Sequence, residues 1–522
     1  MQNALRSLSQ RTLFGVSLPA WAAMLAAAVV GLALRLMKLE TLPFYLDEQN
    51  HTHAALLIMR GEANDYTRGL YSVTYPAILA FRLLGASWYS ARLPMVLFNL
   101  LGVFPLYWVG KRFGRPAAIL AVAFYLTNPW IIGSARNVRE YALMGILFYV
   151  GLGLVLSLME TRATAATLTL AGFAREKWLA LLGVAALMFY TLIIDPRGQF
   201  VLSLVYLPIG AAYYVYRRFS LSRNLWWMVG VIFGVLAALA GLVWRLIMVQ
   251  KASDLAPRLP SLTYNPEMLQ TLTQNAFQHN WWLAPMGWLV LVVILAVALY
   301  SLMRLADPWH RAFALASLGF FAIFTFITFV LGSNGYPVRV RYGILLEYSL
   351  PLLLAALLTK AVSMLPAKWQ AGWRSPVIIA GLALLLLTNP AGWLQIYRYR
   401  GGQQFVVTGN NHFRGDEAYH YIAQNLQPGE TVVSNRFYYN DEMMGNQWGD
   451  FNYININRLE VGENENFGDQ LPKEAHGWIA LYPESNFDIE RYLKLRDFNS
   501  GNKQIRYLGK MGDVYVWDWV LK

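Results

Sequence analysis

The sequence predicts a polytopic α-helical membrane protein with a small α/β domain outside the bilayer at its C-terminal end. Three observations predict it. The chain of 522 residues is 57% hydrophobic and only 14% charged, with a mean hydropathy of +0.36, whereas a soluble globular chain carries about 25% charged residues. Apolar runs of about 17 to 23 residues recur from near residue 16 to near residue 390, each long enough to cross about 30 Å of hydrocarbon as a helix. Beyond residue 391 those runs shorten, and Asn, Asp, Glu, Gly and Tyr become common.

About eleven spans follow from the apolar runs, at 16–38, 91–110, 116–133, 141–158, 178–194, 199–215, 226–247, 284–303, 312–331, 343–359 and 375–390. The first is preceded by Arg6 and Arg11, is too long for a signal h-region and has no evident cleavage site after it. The short connections sort by charge. Lys111, Arg112 and Arg115, then Arg162, Arg175 and Lys177, then Arg217, Arg218 and Arg223, then Arg304 and Arg311, then Lys360, Lys368 and Arg374 fall in alternate loops. The positive-inside rule makes that side the cytoplasm, with the N-terminus inside and the C-terminal domain (391–522) outside, periplasmic or extracellular, at the plasma membrane. The net charge of +13 is therefore mostly topology, and nucleic acid is not expected as a partner. Cysteine is absent, which excludes disulfides, thiolate metal sites and a Cys nucleophile.

Two long loops, 39–90 and 248–283, face outward from the membrane domain (1–390), and long loops of mixed charge are where a site can be built. In the C-terminal domain, Asp416–Leu426 reads as an amphipathic helix and Thr431–Ser434 as a strand after the turn Gln427-Pro428-Gly429. Gly477–Tyr482 and Val514–Trp519 are further strands by pattern, and Asp488–Leu495 a further helix.

Three outer clusters carry candidate chemistry. Directly after the first span comes Leu46-Asp47-Glu48-Gln49-Asn50-His51-Thr52-His53. Ionisable groups at the bilayer edge are costly and tend to be functional. On helical spacing Asp47 and Glu48 both share a face with His51. Asp47 is then either a general base or the N-cap of the helix that follows, and Glu48 with His51 either holds a cation or positions an acceptor. Asn50-His51-Thr52 also fits the N-glycosylation pattern. The second cluster is the turn Ser134 to Tyr141, where Arg136, Arg139 and Glu140 lie outside against the charge bias. Guanidinium groups there match phosphate oxygens bidentately, or else Arg139 and Glu140 simply pair with neighbours. The third is Tyr336 to Tyr342, with Arg339 and Arg341 on one side of an extended segment, facing either phosphate or lipid headgroups.

A carboxylate, a second carboxylate and several arginines at bilayer-surface depth suit a substrate with an anionic phosphate head and a greasy tail. Phosphate is a good leaving group once its charge is balanced, so one carboxylate suffices to deprotonate an acceptor hydroxyl that attacks from the opposite face.

This pattern resembles the GT-C superfamily of integral-membrane glycosyltransferases, nearest to its protein O-mannosyltransferase and aminoarabinose–lipid A transferase branch. The residues carrying the resemblance are Asp47-Glu48, Tyr75-Pro76, Leu83-Leu84-Gly85, Ser90-Ala91-Arg92-Leu93-Pro94, Gly110-Lys111-Arg112-Phe113-Gly114, Ala135-Arg136, Arg139-Glu140-Tyr141 and Arg341-Tyr342. They cover roughly residues 16–360. The resemblance implies an outward-facing site roofed by the first long loop. Asp47 matches the catalytic aspartate, and Glu140 falls where many members have a second acidic residue, in some cases a metal ligand; His51 joins it as a candidate divalent-cation ligand through its spacing to Glu48. Arg341 and its neighbours Arg339 and Tyr342 would lie on the lipid phosphate; Glu48, Arg136, Arg139 and Tyr141 would complete the substrate-binding set. Asp195-Pro196-Arg197 departs from the His or Lys common in that turn, and 248–283 matches nothing in the family.

The expected activity is that of an inverting glycosyltransferase, hexosyl or pentosyl, moving a sugar from a polyprenyl-phosphate carrier to a lipid, glycan or protein acceptor. A transporter or flippase of a lipid-linked sugar is the alternative. Transporters show discontinuous helices, internal repeats and charges near mid-membrane, whereas here the singled-out charges cluster at outer span ends.

Overall fold

The computed structural model describes residues 12–13, 16–40, 46–64, 66, 69–160, 170–193, 287–325, 344–364, 393–394, 404–405, 410–411, 416–434, 452–455, 471, 476–481, 498–500, 502–512 and 514–522. The expected spans at 199–215, 226–247 and 375–390, the loop 248–283 and the helix Asp488–Leu495 lie outside the described residues. The chain divides into two compact units, one of 1–37, 95–397 and 406–409, the other of 38–94, 398–405 and 410–522.

In the first unit, helix α1 is Leu18–Leu36, within the run expected at 16–38. Helix α4, Trp88–Leu101, begins in the second unit and continues through α5, Val103–Gly110, and a 3-10 turn at Lys111–Phe113. Together these make an apolar rod of 26 residues, long enough to cross a membrane. Helix α6, Arg115–Thr127, carries Pro116 in its first turn, where the fixed φ suits a helix start, and is buried along Ala117–Thr127. It packs on α1, α5 and α13 (Leu350–Ser363) and forms the middle of this unit.

The expected span 116–133 is not one straight helix. It breaks at Asn128, and α7, Pro129–Ala135, leaves at 59° to α6. Pro129 accounts for this, because its ring disfavours helical geometry at the preceding residue; Asn128 is extended, with ψ 120°. Asn128 then caps α7, its Oδ1 accepting from the backbone N–H of Trp130 at 2.8 Å and of Ile131 at 3.1 Å.

Helix α8, Tyr141–Met159, agrees with the expected span to one residue and is, among the described residues, a second helix long and apolar enough to cross. Glycine brings it close to α5, since a Cβ at Gly153 would strike the Trp108 ring. Small residues allow such approach between helices that lipid alone does not drive together. Helices α9 (Leu170–Ile193), α10 (Gly287–Leu302), α11 (Pro308–Thr325), α12 (Ile344–Glu347) and α13 complete the described part of this unit. Leu179, Leu182 and Phe189 of α9 and Val292, Leu295 and Leu299 of α10 are exposed, the pattern of helices that face lipid.

In the second unit, α2 is Leu46–Arg60, and a π-helical turn, Leu70–Thr74, runs into α3, Tyr75–Leu84. Its C-terminal part is a six-stranded sheet covered by α14, Asp416–Asn425. The strands are β1 Thr431–Ser434, β2 Asn452–Asn455, β3 His476–Leu481, β4 Phe498–Ser500, β5 Lys503–Met511 and β6 Val514–Leu521. Their order is β2-β1-β3-β6-β5-β4, with β1 parallel to both neighbours and the other pairs antiparallel. Ala418, Tyr419 and Ile422 of α14 bury against Val432, Trp478, Ala480, Val514 and Val516.

Candidate active site

Asp47 lies in the first turn of α2, and its side chain lies outside the described residues. Its neighbours on α2 are well defined. Glu48, Gln49, His51 and Thr52 are buried in a helix whose sequence is polar for its first two turns. The reason for Glu48 is Arg92, carried by α4. Arg92 Nε donates to Glu48 Oε1 and Nη2 to Oε2, both at 3.2 Å, and Nη1 donates to the Leu39 carbonyl at 2.9 Å. Both side chains are fully buried. A two-pronged guanidinium–carboxylate contact fixes direction as well as charge. Arg92 thereby fastens the chain leaving the first span to α2, whose second residue is Asp47.

His51 faces the turn that precedes α3. Its Nδ1 lies 3.3 Å from Thr74 Oγ1, and its ring meets Tyr66 edge-on at 5.0 Å. Gly69, at φ +61°, passes so near that a Cβ there would come within 2.7 Å of the imidazole. Position 69 thus demands glycine on two counts, its left-handed backbone and the ring against it. Burial, aided by Arg60, holds the His53 imidazole below its usual value, with Glu62 acting the other way. The glycosylation reading of Asn50-His51-Thr52 is disfavoured by its place in a helix with His51 and Thr52 buried.

The second cluster falls in the turn between α7 and α8, and all of Arg136, Asn137, Arg139 and Glu140 are buried. Arg136 turns toward α1: Nη1 donates to the Leu34 carbonyl at 3.2 Å and Nη2 to the Met37 carbonyl at 2.9 Å. It serves as a C-terminal cap for the first span, which leaves carbonyls otherwise unmet. Arg139 Nε lies 3.3 Å from Glu140 Oε2, and its guanidinium sits 5.4 Å from the Tyr141 ring centroid. The structure thus joins Arg139, Glu140 and Tyr141 in one group and gives Arg136 a structural bond pattern. Arg339, Arg341 and Tyr342 lie outside the described residues.

Glu140 and His51, the residues of the divalent-cation expectation, each have a protein partner among the described residues. Glu140 faces a guanidinium and His51 a threonine hydroxyl, and among the described residues no three His, Asp or Glu side chains gather as metal ligands.

A polar network inside the first unit was not singled out by sequence reasoning. Arg35, within α1, donates from Nε to Asn99 Oδ1 at 3.0 Å and from Nη1 to the carbonyls of Leu126 at 2.7 Å and Gly31 at 2.9 Å. Asn99 Nδ2 donates to the Tyr348 hydroxyl at 3.3 Å, and that hydroxyl donates to the Tyr141 carbonyl at 2.8 Å. Beside it Asn128 Nδ2 donates to Glu347 Oε2 at 2.8 Å, and Glu347 Oε1 has no hydrogen-bond partner among the described residues. The available signal was that Arg35 and Glu347 fall inside expected spans, where an ionisable residue marks a role by default.

No family model matches the chain, and no curated protein matches it. Solved structures do. The crystal structure of ArnT from Cupriavidus metallidurans in the apo state is 14% identical over 95% of this chain and 97% of that one, with a TM-score of 0.53. The same protein bound to undecaprenyl phosphate is 15% identical over 96% and 98%, at a TM-score of 0.49. An Archaeoglobus fulgidus oligosaccharyltransferase tethered to an acceptor peptide containing the NVT sequon is 14% identical over 83% and 63%, at 0.47. At these identities the likeness is one of fold, shared with apo ArnT along nearly the whole of both chains.

Proposed function

We propose that the chain is an inverting glycosyltransferase that moves one sugar, a hexose or pentose, from a polyprenyl-phosphate carrier to a lipid, glycan or protein acceptor at the outer face of the plasma membrane. About eleven spans, a cytoplasmic N-terminus and an external domain from residue 391 belong to this reading. The observation that carries it is the placement of Asp47. In a chain that shares the fold of apo ArnT, it lies in the first turn of a helix whose next residue, Glu48, is gripped by the buried fork of Arg92.

In the proposed reaction the Asp47 carboxylate takes the proton from the acceptor hydroxyl as that oxygen attacks the anomeric carbon. The bond from that carbon to the phosphate oxygen breaks on the opposite face, and the phosphate leaves with both electrons. Arg339 and Arg341, with Tyr342, and Arg139 with Tyr141 are proposed to balance the phosphate charge, so protonation of the leaving oxygen is not required. Arg92 and Arg136 are positioning residues, one fixing Glu48 beside the base, the other closing the end of α1.

The test is transfer by the reconstituted protein from a polyprenyl-phosphate sugar. Asp47→Asn is expected to lower kcat by about 10²-fold or more, the range of a lost general base, without loss of the folded protein. Undiminished transfer by that variant would remove Asp47 from the role.

A further inference from the structure

We propose that a shelf at the ends of α10, α11 and α13 binds one anionic phospholipid, which lays its phosphate between Arg304 and Lys360 and an acyl chain along α10. Four contacts make the shelf. Lys360 Nζ lies over the Trp309 ring at 5.0 Å, and Trp309 meets the His310 ring at 5.0 Å. His310 meets Tyr300 at 5.3 Å, and the Arg304 guanidinium lies over the Tyr300 ring at 5.3 Å. A cation thus stands at either end of a row of three rings.

The two cations are held in place without being neutralised. A ring attracts a cation through its quadrupole and has no net charge, so the cation is oriented and stays fully charged. Among the described residues neither Arg304 nor Lys360 forms an ion pair. Asp307, the acid beside Lys360, is engaged as the cap of α11: its Oδ1 accepts from the backbone N–H of Trp309 at 2.8 Å and of His310 at 3.2 Å. Two oriented, unpaired cations suit a phosphate group, and the shelf is open to it, since Tyr300 and Arg304 are exposed.

The tail is read from α10. Val292, Leu295, Leu299 and Met303 are exposed and follow one another down one side of the helix to the turn that carries Arg304. From 292 to 303 the ridge rises about 16 Å, close to half of the roughly 30 Å of hydrocarbon and so to the depth of one leaflet. An apolar ridge of that length ending at a cationic shelf matches a head and a tail together, and a free phosphate would leave the ridge uncovered. Basic pockets between spans on the cytoplasmic side take anionic headgroups, and the loop charges assign this shelf to that side. Neither cation belongs to the transfer chemistry proposed above, so the inference stands apart from it.

The test is binding to the purified, delipidated full-length protein, with bound lipid counted by native mass spectrometry. Phosphatidylglycerol is expected to bind several-fold more tightly than phosphatidylcholine with the same chains. The double variant Arg304→Gln, Lys360→Gln is expected to weaken phosphatidylglycerol about tenfold or more, the loss of two basic contacts with a headgroup. The swap Arg304→Lys, Lys360→Arg keeps both charges and is expected to keep binding, as is Arg175→Gln, which removes an exposed cation elsewhere. Full affinity in the double glutamine variant would overturn the site, as would loss in the charge-keeping swap. An equal loss in Arg175→Gln would overturn it in favour of general surface charge. Displacement of the lipid by glycerol 3-phosphate at equal concentration would overturn the lipid assignment in favour of free phosphate.

Discussion

Arg92 and Glu48 lie 44 positions apart in sequence and meet with both side chains out of water. Removing one partner of such a pair leaves a buried charge uncompensated, a loss of about 3–5 kcal/mol, whereas replacing both by apolar groups of similar size is often close to neutral. Arg92→Met is accordingly expected to lower the melting temperature of the detergent-solubilised protein sharply, and the double variant with Glu48→Met to recover most of that loss. Additive losses in the double variant would show that the two are not coupled. Transfer should stay impaired in the double variant, because the Leu39 carbonyl loses its donor as well. The motif Ser90 to Pro94 was legible in the sequence, but Arg92 had no assigned task, because nothing local indicates a carboxylate on another helix. Asp47 and Glu48 were singled out for the opposite reason: two adjacent acids at a span end are locally costly.

Among the elements, those with strong local signals agree with the sequence reading. Strand β1 matches it residue for residue, and α14 ends one residue sooner. Strand β5 went unread because Lys503, Arg506, Gly509 and Lys510 interrupt its alternation, and its place is secured by pairing along β6 rather than by its own composition. The break at Asn128 was available in the Asn-Pro step but was outweighed by the apolar run across it. Where β3 begins, His476 Nδ1 lies 2.7 Å from Glu430 Oε1 and Nε2 3.4 Å from Asp518 Oδ2, and Arg506 pairs with Asp518. Asp518, then Glu430, raises the imidazole above its ordinary value of 6.5 against the opposing effect of burial. A raised folded value means that this group's stabilisation is full below pH 6.5 and fades as pH rises through the folded value. The His476 bond in turn helps hold the Asp518 carboxyl below its usual range, so that contribution is present at neutral pH and lost in acid. Protease resistance of the β3–β6 region is therefore expected to be greater at pH 6 than at pH 8.5, and His476→Gln should flatten the difference. An unchanged difference in that variant would assign the pH effect to other groups.

For the whole molecule, hydropathy made the class legible, since a chain this poor in charge has few other ways to fold. Its orientation rests on Lys and Arg counts in loops, and the absence of cysteine makes it directly testable. In spheroplasts, Asn502→Cys is expected to react with a membrane-impermeant maleimide, and Arg115→Cys to react only after permeabilisation. The reverse pattern would invert the topology and move the proposed chemistry to the cytoplasmic side. What the sequence could not show at this scale is which polar residues in the spans find one another. Arg35, Asn99 and Tyr348 come from three distant segments, and only the packing around α6 joins them.

The elbow between α6 and α7 has a mechanical consequence. A helix end inside a membrane would ordinarily be a weak point, because its last carbonyls lack partners. Here the Leu126 carbonyl accepts from Arg35 Nη1 and the Thr127 carbonyl from Trp393 Nε1 at 2.7 Å, while Asn128 secures the next helix. Straightening the elbow would strand all of these groups at once. The elbow is therefore built as a braced corner rather than a hinge, and the turn bearing Arg139 and Glu140 follows directly from it.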